Sequence, residues 1–297
     1  MSTVGQFLLK KDMNAALAAF GCIMLSLVGI PGEILAAVII SFVTLQKGMK
    51  SGALVVAFVA LPAVGFLLHR EASLFDLGFL QCLFVWLFAG LLRKYQSWRI
   101  VFETMVIGSI ACVGLMHLIM ANPAQYWTDL LVNFVTALNA SVGGKIDMPQ
   151  MTTYIRAIAP YLTGLLMFSA ASMMFVQLLL AQLWQYRLAE QRGKLYDAFI
   201  QIRVGYLNAG ILTLAMFGML FHVAFARDCL FAILLPFVVG GLSYLHYTAK
   251  RYRPMLVVLG LIYVGLVMSS FGLTIVIVLS LIGYIDSLFN FRKRFAF

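Results

Sequence analysis

Ten apolar runs, each close to or above the length needed to cross a lipid bilayer, recur along the chain. A hydrocarbon layer of about 30 Å takes about 20 helical residues at about 1.5 Å each. The runs lie at residues 13–30, 32–46, 52–69, 75–92, 100–120, 158–184, 205–224, 229–247, 254–269 and 271–288. Only 11% of the residues are charged, against about 25% in soluble domains. The sequence therefore predicts an all-α fold, a polytopic transmembrane helical bundle of about ten helices, with nine or eight as alternatives, and residues 1–297 as a single integral membrane domain.

Basic residues fall almost entirely on one side of the membrane that these runs would cross. With the amino terminus in the cytoplasm, 17 of the 21 Lys and Arg residues lie in the terminal segments and the even-numbered connections. Arg70, Lys145, Arg156 and Arg227 lie on the opposite side. Because cytoplasmic loops of membrane proteins are enriched in Lys and Arg, both termini are predicted to be cytoplasmic. The net charge of +10 then reflects contact with anionic lipid, and no nucleic-acid partner is expected.

Two pairs of runs, 13–46 and 254–288, leave only a few residues for the chain to reverse. Pro31 and Gly32 supply a turn in the first pair. In the second pair, only Ser269, Ser270 and Gly272 interrupt the apolar sequence. One long tilted helix over this second pair is the alternative, and it would reduce the count to nine helices.

The sequence lacks the motifs of the common hydrolases and nucleotide-binding enzymes. It contains no HExxH, no GxSxG and no complete phosphate-binding loop. Each Asp and Glu lies near the end of an apolar run or in a connection, away from the middle of a predicted helix. The four cysteines lack CxxC spacing, which gives no support for a disulfide framework or a zinc site. We therefore predict a protein without catalytic activity, and without a cofactor or metal.

Polar groups concentrate at the predicted external ends of the helices. These candidate ligand-binding residues are Glu33, His117, His222, Arg227 and Asp228. His69, His117 and His222 fall at similar depth, so a metal or anion site is one interpretation, and interfacial polar residues without a ligand are the other. Glu33, two residues after Pro31, is also explained by a favourable contact with the helix dipole.

Two segments outside the main runs have amphipathic patterns. The external segment 121–153 contains "QYWTDLLVNFVTAL", which predicts an interfacial helix with Tyr126 and Trp127 at headgroup level. Simple anchoring and a lid above a binding site are the two roles considered. Residues 185–204 predict a cytoplasmic amphipathic helix, lying on the inner leaflet or contacting a cytoplasmic protein.

Small residues line one face of the first predicted helix. Ala15 and Ala19 are four positions apart, a spacing that lets two helix backbones approach closely. Within the chain this face would serve ordinary packing. Between chains it would be a docking surface for a membrane protein partner.

Two regions resemble a known family. "GIPGE" followed by "VTLQKGMKSG", and the closing "LIGYIDSLFNFRKR", resemble the signature regions of the YybS-like predicted bacterial membrane proteins, a domain family of unknown function. That family is distantly similar to the substrate-capture subunits of energy-coupling-factor importers. The resemblance implies a multi-pass protein of the bacterial cytoplasmic (inner) membrane that captures a solute from outside. It also implies docking to an energising module through small residues of the first helix, here Ala15 and Ala19.

Two functions of different classes follow. The first is an uncharacterised multi-pass protein that binds a small solute or is associated with transport, with a pocket open to the external side. The alternative is a non-catalytic scaffold or accessory protein that docks a partner through its first helix or the cytoplasmic helix. The lipid bilayer is the expected partner in both.

Overall fold

The chain folds into helices. The computed structural model describes residues 2–68, 74–191 and 193–294, and within these ranges it contains no strand. The α-helices of this part of the chain are α1 Ser2–Lys10, α2 Asp12–Met24, α3 Gly32–Lys47, α4 Met49–Leu68, α5 Leu74–Tyr95, α6 Trp98–Ile119, α7 Pro123–Ser141, α8 Met148–Ile158, α9 Leu162–Leu188, α10 Lys194–Phe199, α11 Tyr206–Leu220, α12 Ala224–Ala232, α13 Leu235–Arg251, α14 Met255–Val267, α15 Ser269–Phe289 and α16 Phe291–Arg294. Short 3₁₀ helices, Leu25–Val28 and Ala159–Tyr161, follow α2 and precede α9. The predicted all-α class is confirmed for these residues.

Several helices are long and apolar enough to cross a membrane. Within the described residues, four stretches meet both conditions: Trp98–Ile119, Met148–Leu188, Ala224–Arg251 and Gly272–Phe289. The shorter apolar helices are Asp12–Met24, Met49–Pro62, Tyr206–Leu220 and Met255–Val267. Each of the ten apolar runs falls mainly on helical structure. The number of membrane crossings and the side of the two termini stay predictions.

The chain forms two compact units, one made of Met1–Val101 with Ser172–Gln201 and the other of Phe102–Ala171 with Ile202–Phe297. In the first unit, α2 packs against α3 and α4. Ala15 and Ala19 are fully buried. The chain's own helices therefore occupy the close approach that these small side chains allow, and docking of a partner through Ala15 and Ala19 stays a prediction.

The reversal between α2 and α3 depends on two glycines. Gly29 ends the 3₁₀ helix in the left-handed region, with φ of 77°. Gly32 opens α3 so close to α2 that a Cβ there would clash with the backbone oxygen of Cys22. Pro31 precedes α3 as its N-cap residue. The turn predicted at Pro31 and Gly32 is therefore present, and its tightness requires a residue without a side chain at position 32.

In the second unit, α13 and α15 pack at very close range through glycine. A Cβ at Gly241 would clash with the backbone oxygen of Leu279, and one at Gly283 would clash with that of Phe237. Such contact between backbones excludes larger side chains from this interface.

Residues 254–288 form two helices. Met268 is extended, with φ of −77° and ψ of 115°, and it separates α14 from α15. Leu259 and Leu279 belong to one buried cluster with Leu245. On one straight helix, residues 20 positions apart would be about 30 Å from each other. The chain therefore reverses at Met268, and the single-helix alternative is wrong.

Other segments differ from the sequence-based expectation. The segment 121–153 contains the helix α7 and the start of a second helix, α8, and its external position stays a prediction. Residues 185–204 are not one amphipathic helix: they comprise the end of α9, a turn with Glu190 at φ 55° and Gly193 at φ 90°, and the short α10. Gly193 disfavours continuation of the helix. Arg192 of this segment lies outside the described residues.

Candidate functional site

Glu33 lies in the first unit, at the start of α3. Its carboxylate accepts a hydrogen bond of 2.6 Å from the Ser26 hydroxyl. A Cβ at Gly78 of α5 would lie 3.2 Å from the Glu33 Cβ, so this side chain packs against α5. Glu33 is partly buried, and its position in the first helical turn fits the favourable dipole contact expected of a carboxylate there. These contacts account for Glu33 as part of the turn that begins α3.

The second unit brings three of the predicted site residues together. His117 Nε2, in the last turn of α6, lies 2.9 Å from Asp228 Oδ2 on α12. Arg227 Nε lies 4.0 Å from the other carboxylate oxygen, Oδ1. Asp228 is only 2% exposed. The sequence places Asp228 just before the apolar run 229–247, and in the structure it lies within α12, in the apolar stretch Ala224–Arg251.

The buried carboxylate is incompletely satisfied. Asp228 Oδ1 and Arg227 Nε are both buried without a hydrogen-bond partner among the described residues. The Arg227 guanidinium instead stands 5.4 Å from the centre of the Tyr161 ring, a cation–π contact. An unpaired polar atom in an apolar environment costs about 1 to 3 kcal/mol. The cluster of His117, Tyr161, Arg227 and Asp228, which we call the Asp228 cluster, therefore retains unused binding capacity.

Neighbouring helices fix the geometry of the Asp228 cluster. Gly164 of α9 packs directly on α12, since a Cβ there would lie 2.5 Å from the Asp228 backbone oxygen and 2.8 Å from Phe231 Cβ. Phe225 of α12 contacts the His117 ring edge-on, with centroids 5.6 Å apart. The cluster is held by α6, α9 and α12 together.

His222 does not join this cluster. His222 follows α11 with φ of 56°, and its side chain is exposed. His69 and Arg70, also predicted on the external side, lie outside the described residues. Within the part of the chain that the structure describes, no three His, Cys, Asp or Glu side chains are placed to hold a metal ion. The metal interpretation of the histidines therefore has no support from the described residues.

Chemically, a carboxylate beside an imidazole can exchange a proton or hold a cationic group. Ionisable residues among membrane helices are costly and commonly mark substrate, ion or proton pathways. Histidine is the side chain best suited to changing charge near neutral pH. The Asp228 cluster is therefore the candidate site of this molecule.

A second polar cluster, which the sequence analysis missed, lies at the end of α15. Asp286 is 2% exposed, and its Oδ2 accepts a hydrogen bond of 3.2 Å from Arg292 Nε. Arg203 donates to the backbone oxygens of Asp286 and Ser287, at 3.3 and 2.8 Å. A carboxylate near the carboxy terminus of a helix is unfavourable unless cations accompany it. Asp286, followed by the basic residues in the closing "YIDSLFNFRKR", was therefore the signal in the sequence for this polar cluster. Asp286 Oδ1, like Asp228 Oδ1, is buried without a hydrogen-bond partner among the described residues. The arginine contacts cap the end of α15 and pair its carboxylate, which is a structural role.

A cavity of about 350 Å³ lies between α7 and α8 in the second unit. Its polar lining consists of Asn122, Gln125, Thr128, Asp129, Thr152 and Arg156. The Trp127 indole Nε1 donates a hydrogen bond of 2.9 Å to Thr163 Oγ1, and its position at headgroup level stays a prediction. Trp127 therefore ties α7 to the start of α9, while Tyr126 is exposed.

No protein-family model matches the chain, and neither a curated protein nor a solved structure matches it. The resemblance to the YybS-like proteins stays a prediction from two short sequence regions. Assignment of a function to this molecule therefore depends on its own residues and contacts.

Proposed function

We propose that this protein is a multi-pass membrane protein that binds a small polar solute or takes part in its transport, through a site open to the external side. The observation that carries this proposal is the Asp228 cluster. It places an incompletely paired carboxylate, 2% exposed, among apolar helices. Keeping such a group has a cost in stability, which a binding function explains.

The predicted topology supports the same function. With both termini cytoplasmic and about ten crossings, the end of α6 and the start of α12 face outward. The cluster then meets a solute arriving from outside the cell. The resemblance to YybS-like proteins, and through them to solute-capture subunits, is consistent with this proposal and with a bacterial cytoplasmic membrane. The proposal assigns the protein no catalytic activity.

The scaffold alternative loses one of its two docking surfaces. Ala15 and Ala19 are fully buried by the chain's own helices. The other surface, residues 185–204, is divided by a turn before the short α10. We therefore favour solute binding over partner docking.

The proposal is tested by measuring small molecules that are released when the purified protein is denatured. We expect a stoichiometric compound from the native protein and its loss from Asp228→Asn, because a neutral amide cannot supply the negative charge. Arg227→Gln should weaken retention of the same compound. The matched controls are Asp147→Asn, which keeps the ability to cap α8, and Arg253→Gln; both should retain it.

Thermal unfolding of the same variants separates function from structure. Asp228→Asn alone leaves the Arg227 guanidinium without its carboxylate, and removal of one partner of a buried charge pair is destabilising. The double variant Arg227→Gln with Asp228→Asn removes both charges, and we expect it to unfold near the native temperature while it releases no compound. Loss of the compound together with a large fall in the unfolding temperature of this double variant would indicate a structural role. A native protein that releases no compound would contradict solute binding.

A further inference from the structure

The cavity between α7 and α8 carries opposite charges on its two walls. Asp129 belongs to α7 and Arg156 to α8. Asp129 Oδ1 accepts a hydrogen bond of 2.7 Å from Gln125 Nε2, which leaves its second oxygen available. Arg156 has no ion-pair partner among the described residues, and both side chains are exposed. The two charges therefore face the cavity without neutralising each other.

The size of the cavity limits what can enter. At about 350 Å³, it lies at the lower end of the range of about 300 to 1,000 Å³ for ligand sites. A cavity of this size has room for a small solute.

The walls of the cavity are fixed by contacts outside it. Trp127 is bound to Thr163, as described above, and the Asn139 side chain accepts a hydrogen bond of 2.9 Å from the Ile146 backbone N–H in the connection to α8. Asp147 then caps α8 by accepting a hydrogen bond from the Gln150 N–H. These contacts fix the connection between α7 and α8, and with it the backbone positions of the two helices that carry Asp129 and Arg156. Such preorganisation reduces the entropic cost of binding.

We propose that this cavity binds a small zwitterion, whose ammonium group contacts Asp129 and whose anionic group contacts Arg156. Hydrogen bonds between charged partners are the strong ones, and a guanidinium can bind an oxyanion in bidentate geometry. Thr152 and Asn122 supply further polar contacts at the rim. Free α-amino acids have this chemistry, and so does the headgroup of a phosphatidylethanolamine lipid. A solute with only one charge would leave the opposite wall unpaired.

The cavity adjoins the Asp228 cluster through one short segment. Pro160 lines the cavity, and the next residue, Tyr161, carries the Arg227 guanidinium on its ring. Both belong to the 3₁₀ helix Ala159–Tyr161. This inference rests on the proposed function. It names the class of the solute, and it makes this cavity the entry site that leads to the Asp228 cluster.

Equilibrium dialysis of the purified full chain tests the assignment. The probes are labelled glycine, L-alanine, L-serine and glycerophosphoethanolamine, with acetate and ethylammonium as singly charged counterparts. The native protein should bind a zwitterion more tightly than either counterpart. Asp129→Asn and Arg156→Gln should each weaken that binding about tenfold or more.

The controls remove charges that lie outside the cavity lining. Lys145→Gln, in the connection from α7 to α8, and Glu190→Gln, in the turn after α9, are both exposed and should bind as the native protein does. A preference for glycerophosphoethanolamine identifies a lipid headgroup as the source of the ligand, and a preference for amino acids identifies a soluble solute. Equal binding of acetate and glycine would contradict the assignment of a zwitterionic ligand. Unchanged binding in both Asp129→Asn and Arg156→Gln would contradict the assignment of this cavity as the site.

Failure here is distinguishable from failure of the proposed function. If the native protein retains a compound that Asp228→Asn loses, while Asp129→Asn and Arg156→Gln have no effect, solute binding stands and the cavity assignment is wrong. If the native protein binds no probe and releases no compound on denaturation, both fail.

Discussion

Single ionic contacts near the membrane surface tie neighbouring helices together at the residue scale. Asp12, just before the first predicted membrane span, accepts hydrogen bonds from Lys47 Nζ at 2.6 Å and Ser51 Oγ at 2.9 Å. These bonds connect α2 to the end of α3 and the start of α4. The Lys47 and Ser51 hydrogen bonds hold the pKa of the Asp12 carboxyl below its ordinary value of 3.8.

This lowered pKa predicts an acid-sensitive contribution to stability. A carboxyl with a lower pKa in the folded state stabilises the fold above the unfolded-state pKa, and loses that contribution as pH falls through the folded-state value. The effect should stay below about 1 kcal/mol because the contact is exposed to solvent. Between about pH 5 and about pH 3, the unfolding temperature of the native protein should therefore fall more than that of Asp12→Asn. Parallel curves for the two proteins would show that Asp12 makes no such contribution.

The residues of the Asp228 cluster could be identified from the sequence, but their pairing could not. His117, Arg227 and Asp228 stood out as polar groups beside apolar runs. His117 and Asp228 are 111 positions apart, and no local pattern specifies which helices meet. Glu33 was grouped with them by predicted depth alone, and in the structure it belongs to the other compact unit.

At the scale of helices, glycine contacts determine how closely α13 and α15 approach. Gly241→Ala and Gly283→Ala should each destabilise the protein by about 1 to 3 kcal/mol, because a methyl group forces two packed backbones apart. Gly260→Ala is the matched control. It lies in α14 with open space around its Cα, so Ala should be neutral or stabilise by up to about 1 kcal/mol. Thermal unfolding measures the stability of all three variants. Equal unfolding temperatures would contradict the close approach of α13 and α15.

The helices were largely predictable from the sequence, because the apolar runs are long. In lipid, the backbone of such a run satisfies its hydrogen bonds only by forming a helix. Helix ends were less predictable. The reversal at Met268 has little local signal, since its neighbours Ser269 and Ser270 also occur within membrane helices. Helix α9 ends at Leu188, where the chain turns through Glu190 with φ of 55°, and no glycine or proline marks that end in the sequence. Helix α1, Ser2–Lys10, was missed because its few apolar residues fall short of a membrane span.

For the whole molecule, the distribution of basic residues predicts its orientation. In a variant without native cysteines, Lys145→Cys should react with a membrane-impermeant maleimide added to intact cells. Arg253→Cys should react only after permeabilisation, because its connection is predicted to be cytoplasmic. Both residues are exposed, so the difference reports the side of the membrane. Labelling of Arg253→Cys from outside would reverse the predicted topology.

The brevity of two apolar helices makes lipid chain length a variable in the stability of this protein. Helix α11 has 15 residues and α14 has 13. At about 1.5 Å per residue they measure about 22 and 20 Å, shorter than a hydrocarbon core of about 30 Å. A bilayer that thins to meet them incurs a cost of fractions of a kcal/mol per Å. Lipids with short acyl chains reduce that cost and those with long chains increase it, so membrane thickness itself would act on the balance between folded and unfolded protein.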